Sequence, residues 1–207
     1  MNKRKFEEMQ LFDSSNIYNS IDYSSYILYY KNELNCDTIK ILDNHIIFHS
    51  TINNDSINKL LECINDFKNN INFSKFNNII YLHIVSLGGL LDCVNKFIEF
   101  KNNHFKTIEF ISIIENNCTD AGFLLSSLCD FRLIKKNVIC TMNQVYNNSN
   151  YWGIFNQYNN PLEKLEYILN KIKYKVKKEK IDKYLLQNNI WNSKKMLKIG
   201  LVDEIIQ

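Results

Sequence analysis

Two turns that contain glycine are the parts of this sequence best suited to chemistry. The first is Ser-Leu-Gly-Gly at residues 86–89, which follows an apolar run at 79–85 and precedes apolar residues at helical spacing. A strand that ends in paired glycines and passes directly into a helix presents backbone N–H groups, which can stabilise a developing oxyanion. We expect Gly88 and Gly89 to form half of an oxyanion hole or to hold an extended peptide, unless they only permit a tight turn.

The second turn has the sequence Cys-Thr-Asp-Ala-Gly at residues 118–122. A short apolar helix begins at Ala121, and the dipole of a helix favours negative charge at this end. Such turns often carry a nucleophile, which needs a base to take its proton and an acid to orient the base. Cys118 and Thr119 offer a thiol and a hydroxyl, while Asp120 suits a solvated helix N-cap. No base for either nucleophile is identifiable nearby in the sequence.

The histidines and cysteines predict no further reactive centre. His83 lies on the strand before the glycine pair, where we expect a hydrogen-bonded sheet histidine, and His45 and His49 lie near an edge strand. The six cysteines contain no Cys-x-x-Cys pair, so neither a zinc site nor another cofactor is predicted. We expect free, buried thiols in a reducing compartment, and therefore a cytoplasmic protein.

The surrounding elements predict one α/β domain at residues 39–207, preceded by a polar and aromatic N-terminal arm at 1–38. Apolar spacing alternates between strand and helix periods, which indicates a parallel sheet with right-handed crossovers. The predicted strands are 39–42, 45–49, 78–85, 106–114, 131–134 and 138–142; the predicted helices are 56–67, 90–100, 121–129, 161–180, 182–187 and 192–198.

The charge and hydropathy of the sequence argue against nucleic acid and membranes as partners. The formal charge of +3 is small, and we interpret the lysine cluster at 171–180 as a solvated helix face, so no nucleic acid is expected. Residues 1–10 are charged, which does not suit a signal peptide, and no apolar run approaches the length of a membrane span. We therefore expect no membrane association.

Four motifs, in sequence order, resemble those of the Clp peptidase (ClpP) family of the ClpP/crotonase superfamily. Val-Ser-Leu-Gly-Gly at 85–89 is similar to the family's Asn-Ser-Pro-Gly-Gly, and 119–125 is similar to the start of the helix that carries the catalytic serine. Residues 137–144 match Asn-Ser-x-x-Met-Ile-His-Gln, and 199–203 match a helix that ends in Gly-Leu-Val-Asp. The resemblance implies repeated β-β-α units in a spiral, with a long helix in the C-terminal half.

The resemblance also implies that the Ser-His-Asp triad is degenerate. The serine position falls on Asp120 when counted from Arg132, or on Thr119 when anchored on residues 123–125, and the histidine position holds Asn143. The third position holds Asn188. An amide cannot act as a general base, because it has no titratable nitrogen. Of the family's site, the resemblance leaves the backbone donors at Gly88, Gly89 and Ala121.

By this resemblance the chain is similar to the non-catalytic, ClpR-like members of Clp systems. The resemblance implies a structural or regulatory subunit in a homo- or hetero-oligomeric, heptameric ring, with an active ClpP subunit and a AAA+ ATPase as partners. Two alternatives stay open. One is an active, divergent endopeptidase with Thr119 as its nucleophile. The other follows from residues 122–132, which resemble the Gly-x-x-Leu-x-x-x-Cys-Asp-x-Arg segment of crotonases, enzymes that act on acyl-CoA thioesters.

Overall fold

The computed structural model describes residues 38–69, 78–142, 161–172 and 189–207, which all belong to the second of two compact units, Met1–Cys36 and Asp37–Gln207. The elements are β1 (Thr38–Leu42), β2 (His45–His49), α1 (Asn54–Asn69), β3 (Ile79–Ser86), α2 (Leu91–His104), β4 (Glu109–Thr119), α3 (Asp120–Ser127), β5 (Phe131–Lys135), β6 (Ile139–Met142), α4 (Pro161–Lys171), β7 (Asn189–Asn192), α5 (Ser193–Ile199) and β8 (Glu204–Ile206). The predicted arm before residue 38, the predicted helix at 182–187 and the lysines beyond 172 lie outside the described residues.

The described strands form one sheet with the order β1-β2-β3-β4-β5-β8. Strands β1 and β2 are antiparallel neighbours, whereas β2 through β5 and β8 run parallel. Strand β6 pairs in parallel with the end of β4 and antiparallel with β7. The predicted parallel α/β sheet is therefore confirmed, and its carboxyl edge collects the turns that follow β3 and β4.

Two strands and two helices differ from the predicted ones. Strand β4 continues to Thr119 instead of ending at residue 114, because its last residues pair with β6. Strand β7 was not predicted, since its four residues carry no apolar alternation. Helix α4 ends at Lys171 rather than at 180. Helix α1 begins two residues early, and Asn53 and Ser56 exchange backbone-to-side-chain hydrogen bonds at its start.

The hydrophobic core lies between one face of the sheet and the helices. Alternate residues of the strands face this side, among them Phe48, Leu82 and Ile114, which are fully buried. The apolar stripe of α1 and the buried positions of α2 and α3 pack on the same cluster. The core thus holds in place the helices that follow the two glycine turns.

The opposite face, here called the second face, carries the intervening strand residues and is partly polar. His83 is buried there between His45 and Glu115, with hydrogen-bond distances of 2.8 Å and 3.0 Å. The Nζ atom of Lys135 lies 3.4 Å from the same Glu115 oxygen. The expectation that His83 is a hydrogen-bonded sheet histidine is confirmed.

A buried ion pair joins β5 to the segment before β8. The Nε and Nη2 atoms of Arg132 donate to the two carboxylate oxygens of Asp203 at 2.9 Å and 3.2 Å. The backbone N–H of Arg132 also donates to the Asp203 carboxylate, and the backbone N–H of Asp203 donates to the Arg132 carbonyl oxygen. Both side chains are almost fully buried. The Gly-Leu-Val-Asp motif at 200–203 therefore has a structural task, which is to fix the C-terminal end of the chain to the sheet.

Replacing Asp203 with Asn is expected to lower the free energy of unfolding by about 3–5 kcal/mol, because it leaves the Arg132 guanidinium buried without its charge partner. Urea denaturation at pH 7 measures this loss. The control is Glu204→Gln, since Glu204 is exposed and its loss should cost less than about 0.5 kcal/mol. Equal effects of the two changes would contradict a buried ion pair.

Acid should destabilise the fold through two histidines of the second face. Burial lowers the pKa of His45 from 6.5 to about 3 and, chiefly for the same reason, that of His49 to about 4. In the unfolded chain both rings take up protons below about pH 6.5, whereas the folded protein keeps them neutral. The stability that the neutral rings provide is therefore complete above pH 6.5 and is lost as the pH falls toward about 4 for His49 and about 3 for His45.

For His45 the loss between pH 6.5 and pH 5 is expected to be about 2 kcal/mol, from the difference in pKa between the folded and unfolded chain. Urea midpoints at a series of pH values measure it. His45→Gln should reduce the slope of stability against pH, while His104→Gln, at an exposed position, should leave it unchanged. A slope that His45→Gln does not alter would contradict the assignment.

Candidate functional site

The structure brings the two predicted turns side by side at the carboxyl edge of the sheet. Strand β3 ends at Ser86 and β4 ends at Thr119, and Ser86 is in register with Cys118 across the parallel pair. Each strand leads into a helix, α2 or α3. Because neighbouring parallel strands end at the same edge, the backbones of both turns can act on one ligand.

Two glycines allow the turns to approach each other closely. Gly88 has φ +90, and a Cβ atom on it would lie 3.0 Å from the Cβ atom of Asp120 and 3.2 Å from the carbonyl oxygen of Thr119. In the other direction, a Cβ atom on Gly122 would lie 2.5 Å from the Cβ atom of Ser86. In each turn, therefore, the missing side chain of a glycine makes room for a residue of the other turn.

Gly89 has a structural task that the sequence did not reveal. Its φ is +143, and a Cβ atom there would lie 2.1 Å from the carbonyl oxygen of Ile52. The backbone of Ile52 bonds on both sides of this glycine, by donating to the Gly88 oxygen at 2.7 Å and accepting from the Leu90 N–H at 2.8 Å. A side chain at Gly89 is therefore excluded by the segment that precedes α1.

The predicted oxyanion donor at Gly88 has an internal partner. Its N–H donates to the Oγ atom of Ser86 at 3.2 Å. A ligand oxygen would have to compete with this hydroxyl, which is itself buried against Gly122. The other predicted donor, Ala121, lies in the first turn of α3 and is fully buried.

Asp120 occupies the sharpest point of the second turn. Thr119 has extended backbone angles and acts as the N-cap of α3 without a side-chain capping bond. Asp120 follows with φ +47, in the left-handed region that residues other than glycine rarely adopt. A residue held in this way between a strand and a helix occupies the kind of position in which hydrolases present a nucleophile.

The thiols beside this turn are not suited to nucleophilic attack. Cys118 on β4 is in register with Cys140 on β6, and both are free thiols that are fully buried. Burial raises the pKa of the Cys118 thiol well above its usual value and that of Cys140 to about 12. Since the thiolate is the reactive form, both cysteines are inert core residues.

All four histidines of the chain lie within the described residues, and none lies on either turn. His45 and His83 bond to each other on the second face, and the charges that act on His49 are those of Glu115, His83 and Lys135. His104, at the end of α2, packs against Phe100.

A bulge in β4 places the second turn. Ile84 is in register with Ile114, but Ser86 is in register with Cys118, so three residues of β4 (115–117) face the single residue Val85. Bulges re-aim the residues that follow them and are frequent next to active sites. The polar sequence of this segment offered no periodic signal from which the bulge could be predicted.

The segment that resembles crotonases is explained by packing. The Asp130 carboxylate accepts from the backbone N–H of Phe110 at 3.0 Å and from the Lys101 ammonium at 2.9 Å. Arg132 is engaged with Asp203, as described above. Both charged residues of the Cys-Asp-x-Arg motif therefore tie β5 to its neighbours.

Asn143 and Asn188, the other two predicted triad positions, lie outside the described residues. Among the residues that the structure describes, no group of three His, Cys, Asp or Glu side chains is arranged to hold a metal ion. Within the same residues, every helix is too short or too polar to cross a membrane.

This chain is similar to solved structures, of which two are described here. One, described as a peptidase from Plasmodium falciparum, has a TM-score of 0.62 at 16% identity, over 79% of this chain and 96% of that chain. The other, the ClpP protease catalytic domain from Plasmodium falciparum, has a TM-score of 0.61 at 13% identity, over 90% of this chain and 92% of that chain. No protein-family model and no curated protein matches the sequence. The ClpP-like fold implied by the four motifs is confirmed.

The contact between the turns can be tested with Gly122→Ala. The added methyl group would overlap Ser86, and overpacking of this kind lowers the free energy of unfolding by about 1–3 kcal/mol. Removing the opposing side chain in the double variant Gly122→Ala with Ser86→Gly should recover part of the loss. Urea denaturation of the two single variants and the double variant measures the coupling. Strictly additive effects would contradict the close approach.

Proposed function

We propose that this chain is a non-catalytic ClpP-like subunit in which Asp120 occupies the position of the catalytic serine. The observation that carries the proposal is the left-handed backbone of Asp120 between β4 and α3, next to Gly88. Acyl transfer develops a negative charge on the substrate oxygen at such a turn. An aspartate side chain has no hydroxyl for the attack, and its carboxylate adds negative charge where the reaction creates more.

The backbone around this turn supports the same proposal. The Gly88 N–H donates to Ser86, and Gly89 is enclosed by Ile52, so both glycines serve the contact between segments. No histidine lies on either turn, and the inert Cys118 cannot replace the serine. The scaffold of the site is kept, while the groups that would transfer protons are not.

The proposed role is structural or regulatory, within a cytoplasmic Clp-type ring that also holds an active ClpP subunit and is served by a AAA+ ATPase.

Exposed apolar side chains support the assembly of this chain with other subunits. Ile139 and Ile190 lie on the outward face of β6 and β7 and are 47% and 70% exposed. Leu87, beside the candidate site, is 73% exposed. Side chains of this kind are often covered in an oligomer.

A second candidate is an active endopeptidase with Thr119 as the nucleophile. Its support is the Thr119 hydroxyl oxygen, which lies 3.4 Å from the position of a Cβ atom on Gly88 and so faces the backbone of the first turn. A threonine nucleophile requires a base, and the four histidines lie elsewhere. The crotonase-like alternative gains no support from the described residues, in which Asp130 and Arg132 make structural contacts.

Incubation with a fluorophosphonate probe and a short fluorogenic peptide separates the first two candidates. We expect neither labelling nor turnover by this chain under conditions in which an active ClpP gives both, because Asp120 offers no hydroxyl and none of the four histidines lies on either turn. Thr119→Ala should change nothing. Labelling of the wild-type chain that Thr119→Ala abolishes would contradict the proposed function and support the second candidate.

A further inference from the structure

A chain of polar contacts crosses four neighbouring strands on the second face. The Nδ1 atom of His45 lies 2.8 Å from Nε2 of His83, and Nδ1 of His83 lies 3.0 Å from Oε1 of Glu115. The Lys135 ammonium lies 3.4 Å from the same oxygen. We call these four residues, on β2, β3, β4 and β5, the histidine relay.

The relay is enclosed, so its protons are coupled. The side chains of His83 and Glu115 are 3% and 1% exposed, and His45 is also buried. Only one hydrogen atom fits between the rings of His45 and His83, because each contributes one nitrogen to the contact. The protonation state of one ring therefore decides which nitrogen of the other carries a hydrogen.

The geometry admits one additional proton. With both rings neutral, His45 Nδ1–H donates to His83, and His83 Nδ1–H donates to the Glu115 carboxylate. A proton taken up at Nε2 of His45 lets the hydrogen on Nδ1 pass to Nε2 of His83, so the positive charge comes to rest beside Glu115. A second proton would place like charges on adjacent rings. The low pKa of His45, about 3, has burial as its main cause and the His83 charge as the next.

Glu115 connects the relay to the candidate site, because it is the first residue of the β4 bulge. The bulge sets the position of Thr119 and Asp120, which contact Gly88. In the neutral relay, Glu115 is shared between an uncharged His83 and the Lys135 ammonium. A cationic His83 attracts the carboxylate more strongly toward β3, which pulls on the start of the bulge.

We propose that His83 is a proton-responsive positioning residue that couples the charge on the second face to the geometry of the β4–α3 turn. The charged and titratable groups on the same face are Tyr81 on its own strand, His45 and His49 on β2, Glu109 and Glu115 on β4, and Lys135 on β5. The coupling concerns the position of the turn and does not depend on whether the turn is catalytic.

The small number of glycines makes a direct test practical. The chain has five, of which Gly88, Gly89 and Gly122 lie at the candidate site and Gly200 ends α5. Selective ¹⁵N labelling of glycine and of the histidine rings gives a simple spectrum that is followed from pH 7.5 to pH 5. Circular dichroism at each pH checks that the protein stays folded.

We expect the amide signals of Gly88 and Gly122 to shift with the same midpoint as the His83 ring nitrogens, while Gly200 stays constant. Glu115→Gln keeps the size of the side chain and an acceptor oxygen but removes the charge, so it should lower this midpoint. His83→Gln should abolish the shift at both glycines. His104→Gln, the matched control at an exposed histidine, should leave it unchanged.

Three results would overturn the proposal. The His83 ring could remain in one state over this range, or it could titrate while the site glycines stay constant. The glycine shifts could also persist in His83→Gln, which would assign them to another group such as Asp120. If His83→Gln does not fold, the wild-type titration together with Glu115→Gln still decides the matter.

Discussion

The close approach of two backbone turns is the constraint on which the candidate site depends. Asp120 and Thr119 pack closely against Gly88, and Ser86 packs closely against Gly122. Neither turn can therefore carry a side chain at its glycine without displacing the other turn. Packing this tight leaves little freedom for the helices that follow, because α2 and α3 are also buried in the same core. The close fit of the turns thus comes from sterics at glycine and from burial of the helices behind it.

This origin means that the shape of the candidate site does not depend on side chains that take part in a reaction. The glycines, the buried Ala121 and the core behind them do not require a nucleophile, and none of them titrates. Asp120 has a left-handed backbone, and its Cβ atom lies beside Gly88, where a side chain would leave it no room. Three buried titratable groups, His45, His83 and Glu115, lie on the second face of the sheet.

The sequence predicted the parts of the fold that have a local period. The apolar run at β3, the stripe of α1 and the glycine pair after β3 were all evident, because burial on one or both faces leaves a repeating apolar signal. The last residues of β4 and all of β7 were not, since their pairing partners are distant in the chain and neither segment has a repeating apolar period. The β4 bulge, the contacts of His83 with His45 and Glu115, and the enclosure of Gly89 by Ile52 also join residues that are distant in the sequence.

The most direct measurement of the central claim is a crystal structure of the full chain that resolves the space above Gly88. The account predicts a left-handed Asp120 beside Gly88, a Gly88 N–H that donates to Ser86, and no imidazole near the Thr119 hydroxyl. A structure with a histidine nitrogen within hydrogen-bond distance, about 3 Å, of the Thr119 oxygen would contradict it. So would a Gly88 N–H that points into an open cleft next to that hydroxyl.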